Sequence, residues 1–421
     1  MDDRAASYRD VFAVNEYVHL FTANVLSQIG DQLAKIALTF LVFDRTHSPT
    51  LSAATFAVSF IPWVVGGPLL SAYADRLPRR TVMVVCDVIR AVLVATLAIP
   101  GVPVAALIGI LFVANIFSPP FLSARAAMMP EIMEGDRYVV ANGLDNITNQ
   151  LCQVLGFALG GPIILALTPQ GALVADSLTY AISAVLLAVG VRFRPAAVES
   201  TGTGVGSVLR ESANGAAFVF RNSTLRAYLL LFWLATAFSF SVEGLVAPLA
   251  EQLHGGPKVG GLLLAAAPVG VAAGGVLIGR MCAPTLRIRL TIPLAVLACF
   301  SLVPMLWAPP LAVVLALLVL MGFGNSFIIP LNPMFVRAVP PEYRGRAMGV
   351  AVSGVNVTQG MGMFFAGVLA ERLAPTTVMA MSGFVGTLVV LGLVTIWPHP
   401  IFRTRATSSA TGADASGEAA A

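Results

Sequence analysis

Charge is what this sequence has least of. Asp, Glu, Lys and Arg together make up 11% of the 421 residues, against about a quarter in an ordinary soluble domain. So few charges could not cover the surface of a water-soluble protein of this length. A hydrophobic content of 57% and a mean hydropathy of +0.85 agree, and they predict a polytopic membrane protein. Lysine is nearly missing, with only Lys35 and Lys258 in the chain. No Gly-x-x-x-x-Gly-Lys-[Ser/Thr] occurs, so nucleotide is not bound in the P-loop manner. Cys86, Cys152, Cys282 and Cys299 lie in or beside apolar segments without Cys-x-x-Cys spacing, which argues against a disulfide framework. No His, Cys and carboxylate cluster has the spacing of metal ligands. No metal, no cofactor and no catalytic activity is therefore expected. The net charge of +4 is not a nucleic-acid footprint either, because the arginines sit in short loops between apolar runs.

What is present is a series of apolar runs. A membrane-crossing helix needs about 20 mainly apolar residues. Twelve stretches meet that need, at 17–42, 51–73, 82–100, 103–127, 140–167, 171–191, 226–249, 259–281, 290–308, 311–335, 346–370 and 376–397. The reading is an all-α membrane protein with twelve transmembrane helices. The longest interruption, rich in Gly, Ser and Arg, divides six spans from six. The expected organisation is an N-terminal bundle over 1–191, a central loop over 192–225, a C-terminal bundle over 226–400 and a disordered tail over 401–421. No small-residue cleavage site follows the first apolar run, which is read as a retained helix rather than a signal peptide.

The basic residues test this layout. With the N-terminus, the even-to-odd loops and the tail on one side, that side holds 20 of the 25 Lys and Arg residues. The other side holds Arg45, Lys258 and Arg372, and Lys35 and Arg90 lie within spans. The positive-inside rule then puts both termini in the cytoplasm. The excess of arginine over lysine and the many alanines suggest a GC-rich bacterial source, hence a bacterial inner membrane. The halves also echo each other. Gly66-Gly67 and Arg79 recur as Gly274-Gly275 and Arg287, shifted by 208 positions. Ala141, Gly143, Gln153, Gly156 and Gly161 recur as Ala347, Gly349, Gln359, Gly362 and Gly367, shifted by 206.

Residues 67–80 read Gly-Pro-Leu-Leu-Ser-Ala-Tyr-Ala-Asp-Arg-Leu-Pro-Arg-Arg between two apolar runs. This segment resembles the loop between helices 2 and 3 of major facilitator superfamily transporters, roughly Gly-x-x-x-Asp-Arg-x-x-Arg-Arg. It departs from that pattern at Ser71 and Pro78. More narrowly, the chain resembles the drug/proton antiporter branch that includes macrolide-efflux-like proteins. The match rests on Gly30-Asp31, on Cys86-Asp87-Val88-Ile89-Arg90-Ala91, on Ser123-Ala124-Arg125 through Pro130 with Ala141-Asn142-Gly143-Leu144, and on Gly156-x-x-x-Gly160-Gly161-Pro162. No arginine sits midway along the fourth span, where many proton antiporters of the superfamily carry one; Asn115 is nearest the middle.

The resemblance implies two pseudo-symmetric six-helix bundles that rock about a midplane site, usually as a monomer. It implies export of an amphipathic small molecule, drug-like in character, in exchange for protons. Spans 1, 4, 7 and 10 would line the cavity, with Phe21, Asn24, Asn115, Trp233, Phe240, Asn325 and Asn332 as candidate contacts. Gln28, Lys35, Asn149 and Asn356 extend that set. The Gly156–Pro162 segment would pack helices closely and seal one side of the cavity. Asp75, Arg76, Arg79 and Arg80 would form a conformational latch, together with Asp87, Arg90 and Arg125. In it, Asp75 would approach the N-terminus of the eleventh helix near Arg346, and Arg79 would pair with Glu131 or Asp87.

Within the spans, Asn24, Gln28, Asp31 and Lys35 recur at helical spacing and form one polar stripe. Charged groups inside a bilayer are costly and face the bundle interior or a water-filled cavity. Asp31 is then either a protonatable carboxylate of the transport cycle or half of a structural pair with Lys35 at i+4. Thr236, Ser239 and Glu243 share a face of the seventh span, and no basic residue lies within a turn of Glu243. Asp145, Asn149 and Gln153 form a third stripe. Asp31, Glu243 and Asp145 are the proton-coupling candidates. Asp87 and Arg90, one turn apart, read as a structural pair, and Asp176 has no assigned role. The rival functions are export of an endogenous metabolite, such as a siderophore or secondary metabolite, and a transporter-like membrane sensor that moves no cargo.

Overall fold

A computed structural model describes residues 7–62, 77–194 and 217–396. The expected latch residues Asp75 and Arg76, most of the expected central loop and all of the expected tail lie outside the described residues. Those described are helical throughout, without a strand among them. The first span is the helix Asn15–Thr46, and the described part of the second is Pro49–Ala57. The third is Arg79–Leu97, and the fourth is Val104–Ile116 continued by Ser118–Ile132. The fifth and sixth form one helical run, Asp136–Gly190, broken at Thr168 with φ 67 and ψ 163. The break has a local cause. Pro169 has no N–H to give and disfavours helical geometry at the residue before it, so the chain turns there.

The seventh span is Ser223–Ser239, Ser241–Gly244 and Val246–Gln252 in series. The eighth is Gly256–Val276, ending in the π-helical turn Leu277–Met281. The ninth is Pro284–Phe300, and the tenth is Leu311–Asn325 with Ile328–Ala338. Arg344–Ala370 and Pro375–Ile396 complete the series. Several helices run past the hydrophobic limits read from sequence. Pro284–Phe300, for example, begins before Arg287 and Arg289. Apolar length measures the hydrocarbon, whereas a helix continues into the interface on turns whose long cationic side chains reach water.

The first span is the most enclosed, with Tyr17, Leu20, Ile36, Leu38 and Val42 all at 1% exposure or less. It packs along the fifth and sixth, where glycines permit close approach. A Cβ on Gly156 would lie 2.7 Å from Gln32 Cβ, and one on Gly160 would lie 2.5 Å from Ile36 Cδ1. On the outside, Val92, Leu178, Val185, Val189 and Phe384 are exposed. Their solvent is lipid, which explains why apolar side chains face outward.

The first six and last six spans meet along two seams, fifth against eighth and second against eleventh. The sequence repeat explains their likeness. A Cβ on Gly161 would come 2.3 Å from the Pro257 carbonyl oxygen, and one on Gly367 would come 2.9 Å from that of Pro49. The glycines are 206 positions apart and the prolines 208, so one contact is built twice. Both contacts lie at the end of the molecule away from the arginine-rich loops. One seam carries an addition. Glu371 accepts hydrogen bonds from Ser48 Oγ at 2.5 Å and from the Thr50 N–H at 3.1 Å, at the N-terminus of Pro49–Ala57. Leu165 holds the position equivalent to Glu371 on the other seam, so that clamp is not repeated.

Candidate functional site

A buried charge cluster joins the first, third and sixth spans. Arg90 Nη2 donates to Asp31 Oδ1 at 2.7 Å, and the Tyr180 hydroxyl donates to the same oxygen. The Arg90 guanidinium carbon stands 4.1 Å from the centre of the Tyr180 ring. That stacking turns the guanidinium toward the first span. Asp87 accepts a hydrogen bond from Ser183 Oγ at 2.5 Å instead. Two expectations are corrected here. The ion-pair partner of Asp31 is Arg90 rather than Lys35, whose amine donates to Gln32 Oε1 at 3.3 Å. Likewise Arg90 pairs across helices and not with Asp87 on its own helix. Neighbours one turn apart run side by side on one helix surface, whereas Arg90 reaches across to a facing helix over an aromatic bed.

Asp176, unassigned from sequence, belongs to this cluster. It is 1% exposed, its Oδ1 accepts from Thr179 Oγ1 at 3.2 Å, and its Oδ2 has no hydrogen-bond partner. It also explains Gly30, since a Cβ there would lie 2.1 Å from Asp176 Oδ1. Asp176, Thr179, Tyr180 and Ser183 recur at helical spacing on the sixth span, a polar stripe that the sequence carried and the reading above did not use. Only the fold brings Asp176 and Tyr180 opposite Gly30-Asp31.

A second network lies at the arginine-rich end of the same spans. Arg125 Nη2 donates to Asp145 Oδ2 at 2.7 Å, and the Tyr17 hydroxyl donates to Asp145 Oδ1 at 3.4 Å. Arg79 pairs with Glu131 and also donates to the Ala127 carbonyl at 2.7 Å. Of its two expected partners, the structure selects Glu131. Arg80 donates to the Ala188 carbonyl oxygen. Arg194 grips Glu16 with both Nη atoms, the Nη2 contact at 3.0 Å.

Between these networks lies a cavity of about 300 Å³ lined by the first, third, fourth and fifth spans. Asn24, Gln28 and Asp31 of the first stripe and Asn149 and Gln153 of the third line it with Gln32 and Gln150, whereas Lys35 and Asp145 of those stripes are not among its lining residues. Gln28 Nε2 donates to Asn149 Oδ1 across the cavity wall. A smaller cavity of about 190 Å³ lies among the seventh, tenth and eleventh spans, with apolar walls including Leu229, Phe232, Leu331 and Phe335. Asn332 lines that one.

The remaining candidates are placed otherwise. Phe21 packs edge-to-face on Phe12 and tilted against Tyr17, with ring centres 5.4 and 5.7 Å away. Asn115 Nδ2 bonds the Leu111 carbonyl at 2.9 Å, and Asn356 Nδ2 bonds that of Val352 at 2.8 Å, both within one helical turn. Trp233 donates to the Ala351 carbonyl at 3.0 Å, tying the seventh span to the eleventh. Asn325 is buried, donates to the Met321 carbonyl at 3.1 Å and accepts from Ser239 Oγ at 3.2 Å. Phe240 sits at the break of the seventh helix, packed on the main core. Asn115 and Asn356 thus satisfy themselves within their own helices, whereas Trp233 and Asn325 bond across helices.

Glu243 is 7% exposed in the short turn Ser241–Gly244, which touches both the second and the eleventh spans. Lys35 of the first span is the charged group that acts on it. No salt bridge within 4.0 Å joins Glu243 to a described residue.

The profile of the Major Facilitator Superfamily matches residues 20–350 and 236–416. The chain is 24% identical over 380 residues to "Multidrug efflux pump Tap" of Mycolicibacterium fortuitum, covering 87% of this chain and 92% of that protein. It is 21% identical to "Macrolide efflux protein A" of Streptococcus pyogenes, over 89% of this chain and 93% of that one. It is 25% identical to the MFS-type transporter YfiS of Bacillus subtilis, over 92% and 94% respectively. Among solved structures, the nucleoside transporter NupG superposes with a TM-score of 0.72 at 13% identity, over 91% of this chain and 100% of that one. A POT family transporter gives 0.69 at 13% identity, over 90% and 95%. These neighbours share the fold.

Proposed function

The chain belongs to the major facilitator superfamily, and from that premise we propose that it exports an amphipathic small molecule across a bacterial inner membrane in exchange for protons. The efflux proteins among its relatives support the direction. The arginine-rich end faces the cytoplasm in this reading. Both glycine seams then lie on the outer side, which favours a chain closed outward, with its polar cavity loaded from the cytoplasm.

The observation that carries the exchange is Glu243. It is a buried carboxylate on the turn that touches the second and eleventh spans, and its charged neighbour Lys35 belongs to the opposite half. Asp31 and Asp145 each hold an arginine in a hydrogen-bonded ion pair, so Glu243 is the member of the candidate set best placed to take up and release a proton. Protonated, it loses its attraction to Lys35, and the halves can separate along the seam. Ionised, it draws the first span back. Proton uptake and release at Glu243 would thus alternate the two arrangements while cargo moves outward.

The test is exchange in proteoliposomes. Glu243→Gln should abolish cargo export driven by an imposed pH gradient while retaining cargo binding. Gradient-driven export by that variant at the normal rate would overturn the proton role. Absence of flux for every cargo class, in protein shown to be folded, would favour the sensor reading.

A further inference from the structure

We infer that the polar cavity of the first six spans is a recognition site for an uncharged, hydroxyl- and carbonyl-rich head group, such as a sugar, rather than for a cation or a carboxylate. This rests on the export reading above and gives its cargo a chemical class.

The argument starts from what lines the cavity. Asp31 and Arg90 are its charged side chains, and they are bonded to each other at 2.7 Å. The Tyr180 hydroxyl takes a further place on the same Asp31 oxygen. The pair carries no net charge, so a cationic head would leave water without meeting a free anion, and a carboxylate would find no free guanidinium. Desolvating an ion without a partner is strongly unfavourable.

The rest of the polar wall is built from carboxamides and hydroxyls. Asn24, Gln28, Gln32, Asn149, Gln150 and Gln153 supply six amides, and Ser27 and Ser118 hydroxyls. Each amide offers two N–H donors and a carbonyl acceptor, the pattern that complements hydroxyl groups able to give and accept. Two groups are already buried without a partner. Asn24 is 2% exposed and its Nδ2 has none, and Ser27 is 4% exposed and its Oγ has none. Leaving such a group unpaired costs on the order of 1–3 kcal/mol, so a ligand that completes these bonds is favoured over one that cannot. A site built to hydrogen-bond a ligand discriminates strongly against analogues that lack the group. The apolar cavity in the last six spans, walled by Leu229, Phe232, Leu331 and Phe335, is the counterpart for the apolar body.

The experiment uses the full chain in lipid nanodiscs and three dansyl-tagged probes of similar size. One carries a hexose head, one a trimethylammonium head and one a plain alkyl group, and empty discs correct for partitioning. The hexose probe should bind saturably, about tenfold or more tighter than either other probe, the gain of one or two added hydrogen bonds. Gln153→Leu should weaken the hexose probe about tenfold and leave the ammonium probe unchanged. Gln150→Leu provides a second variant, with folding of both checked by thermal unfolding. Tighter binding of the ammonium probe, equal binding of the alkyl probe, indifference of hexose binding to both variants, or no saturable binding would each overturn the inference. Flux separates this from the export reading. Export of the ammonium probe alone would keep the exporter and remove the sugar site. Tight hexose binding without flux would do the reverse.

Discussion

Arg90 and Asp31 meet at 2.7 Å across the interface of the third and first spans, with the Tyr180 ring beneath the guanidinium. The Arg90 side chain is 5% exposed, whereas that of Asp31, which lines the cavity, is 30% exposed. Asp87 and Asp176 belong to the same cluster, Asp87 bonded to Ser183 and Asp176 to Thr179.

Removing the Arg90 cation should be severe. Arg90→Leu should destabilise the protein by about 3–5 kcal/mol, because carboxylates stay buried without their partner. The double variant Asp31→Asn with Arg90→Leu should lose clearly less than the sum of Asp31→Asn and Arg90→Leu alone. Thermal unfolding of purified protein in detergent measures both. Additive losses would show that the two side chains are not coupled.

Gly30 is tied to Asp176 by contact. Gly30→Ala would place a methyl 2.1 Å from Asp176 Oδ1 and should cost about 1–3 kcal/mol as an overpacked core position. A Cβ there would also lie 2.3 Å from Thr179 Oγ1, so the change should be tolerated only once Asp176→Ala and Thr179→Ala together have cleared the space. Unfolding curves of Gly30→Ala with and without those two changes decide it.

The seams make a prediction about access. Gly161→Val would drive side-chain atoms into the backbone of Pro257 and Lys258. A wedge costing about 1–3 kcal/mol shifts a two-state balance at least about fivefold. Phe40 packs on Gly260 beside this seam. A cysteine placed at Phe40 should then react at least about fivefold faster with an impermeant maleimide added from the seam side. Unchanged reactivity would mean that the seam is not a moving contact.

The second seam should respond to acid. The Ser48 hydroxyl, with help from Thr50, holds the Glu371 carboxyl below its ordinary value of 4.5. A depressed carboxylate lends stability that is complete above its ordinary value and is lost as pH falls through the lowered one. Labelling at this seam should thus rise below about pH 4.5. Glu371→Ala should raise labelling at neutral pH and remove that acid step. Both effects are expected to be small, because the side chain is exposed to water. A step that survives in Glu371→Ala would assign it to another group.

The spans, the fold family and the glycine repeat were legible in the sequence because each is a local or periodic property. Apolar length is fixed by the thickness of hydrocarbon, and a glycine at a seam is needed wherever a backbone crosses. Two stripes, Asn24–Gln28–Asp31 and Asp145–Asn149–Gln153, were legible for the same reason, since helical spacing alone puts such residues on one face. The partners of those residues were not. That Asp31 bonds Arg90 rather than Lys35, that Asp176 fills the space left by Gly30, and that Trp233 bonds the Ala351 carbonyl and Asn325 the Ser239 hydroxyl depend on how helices distant in sequence are rotated against one another. That rotation is set by close packing over the whole bundle. The sequence by itself determined which residues enter the membrane and on which helix face they stand; the tertiary structure alone decided which charges those faces bring together.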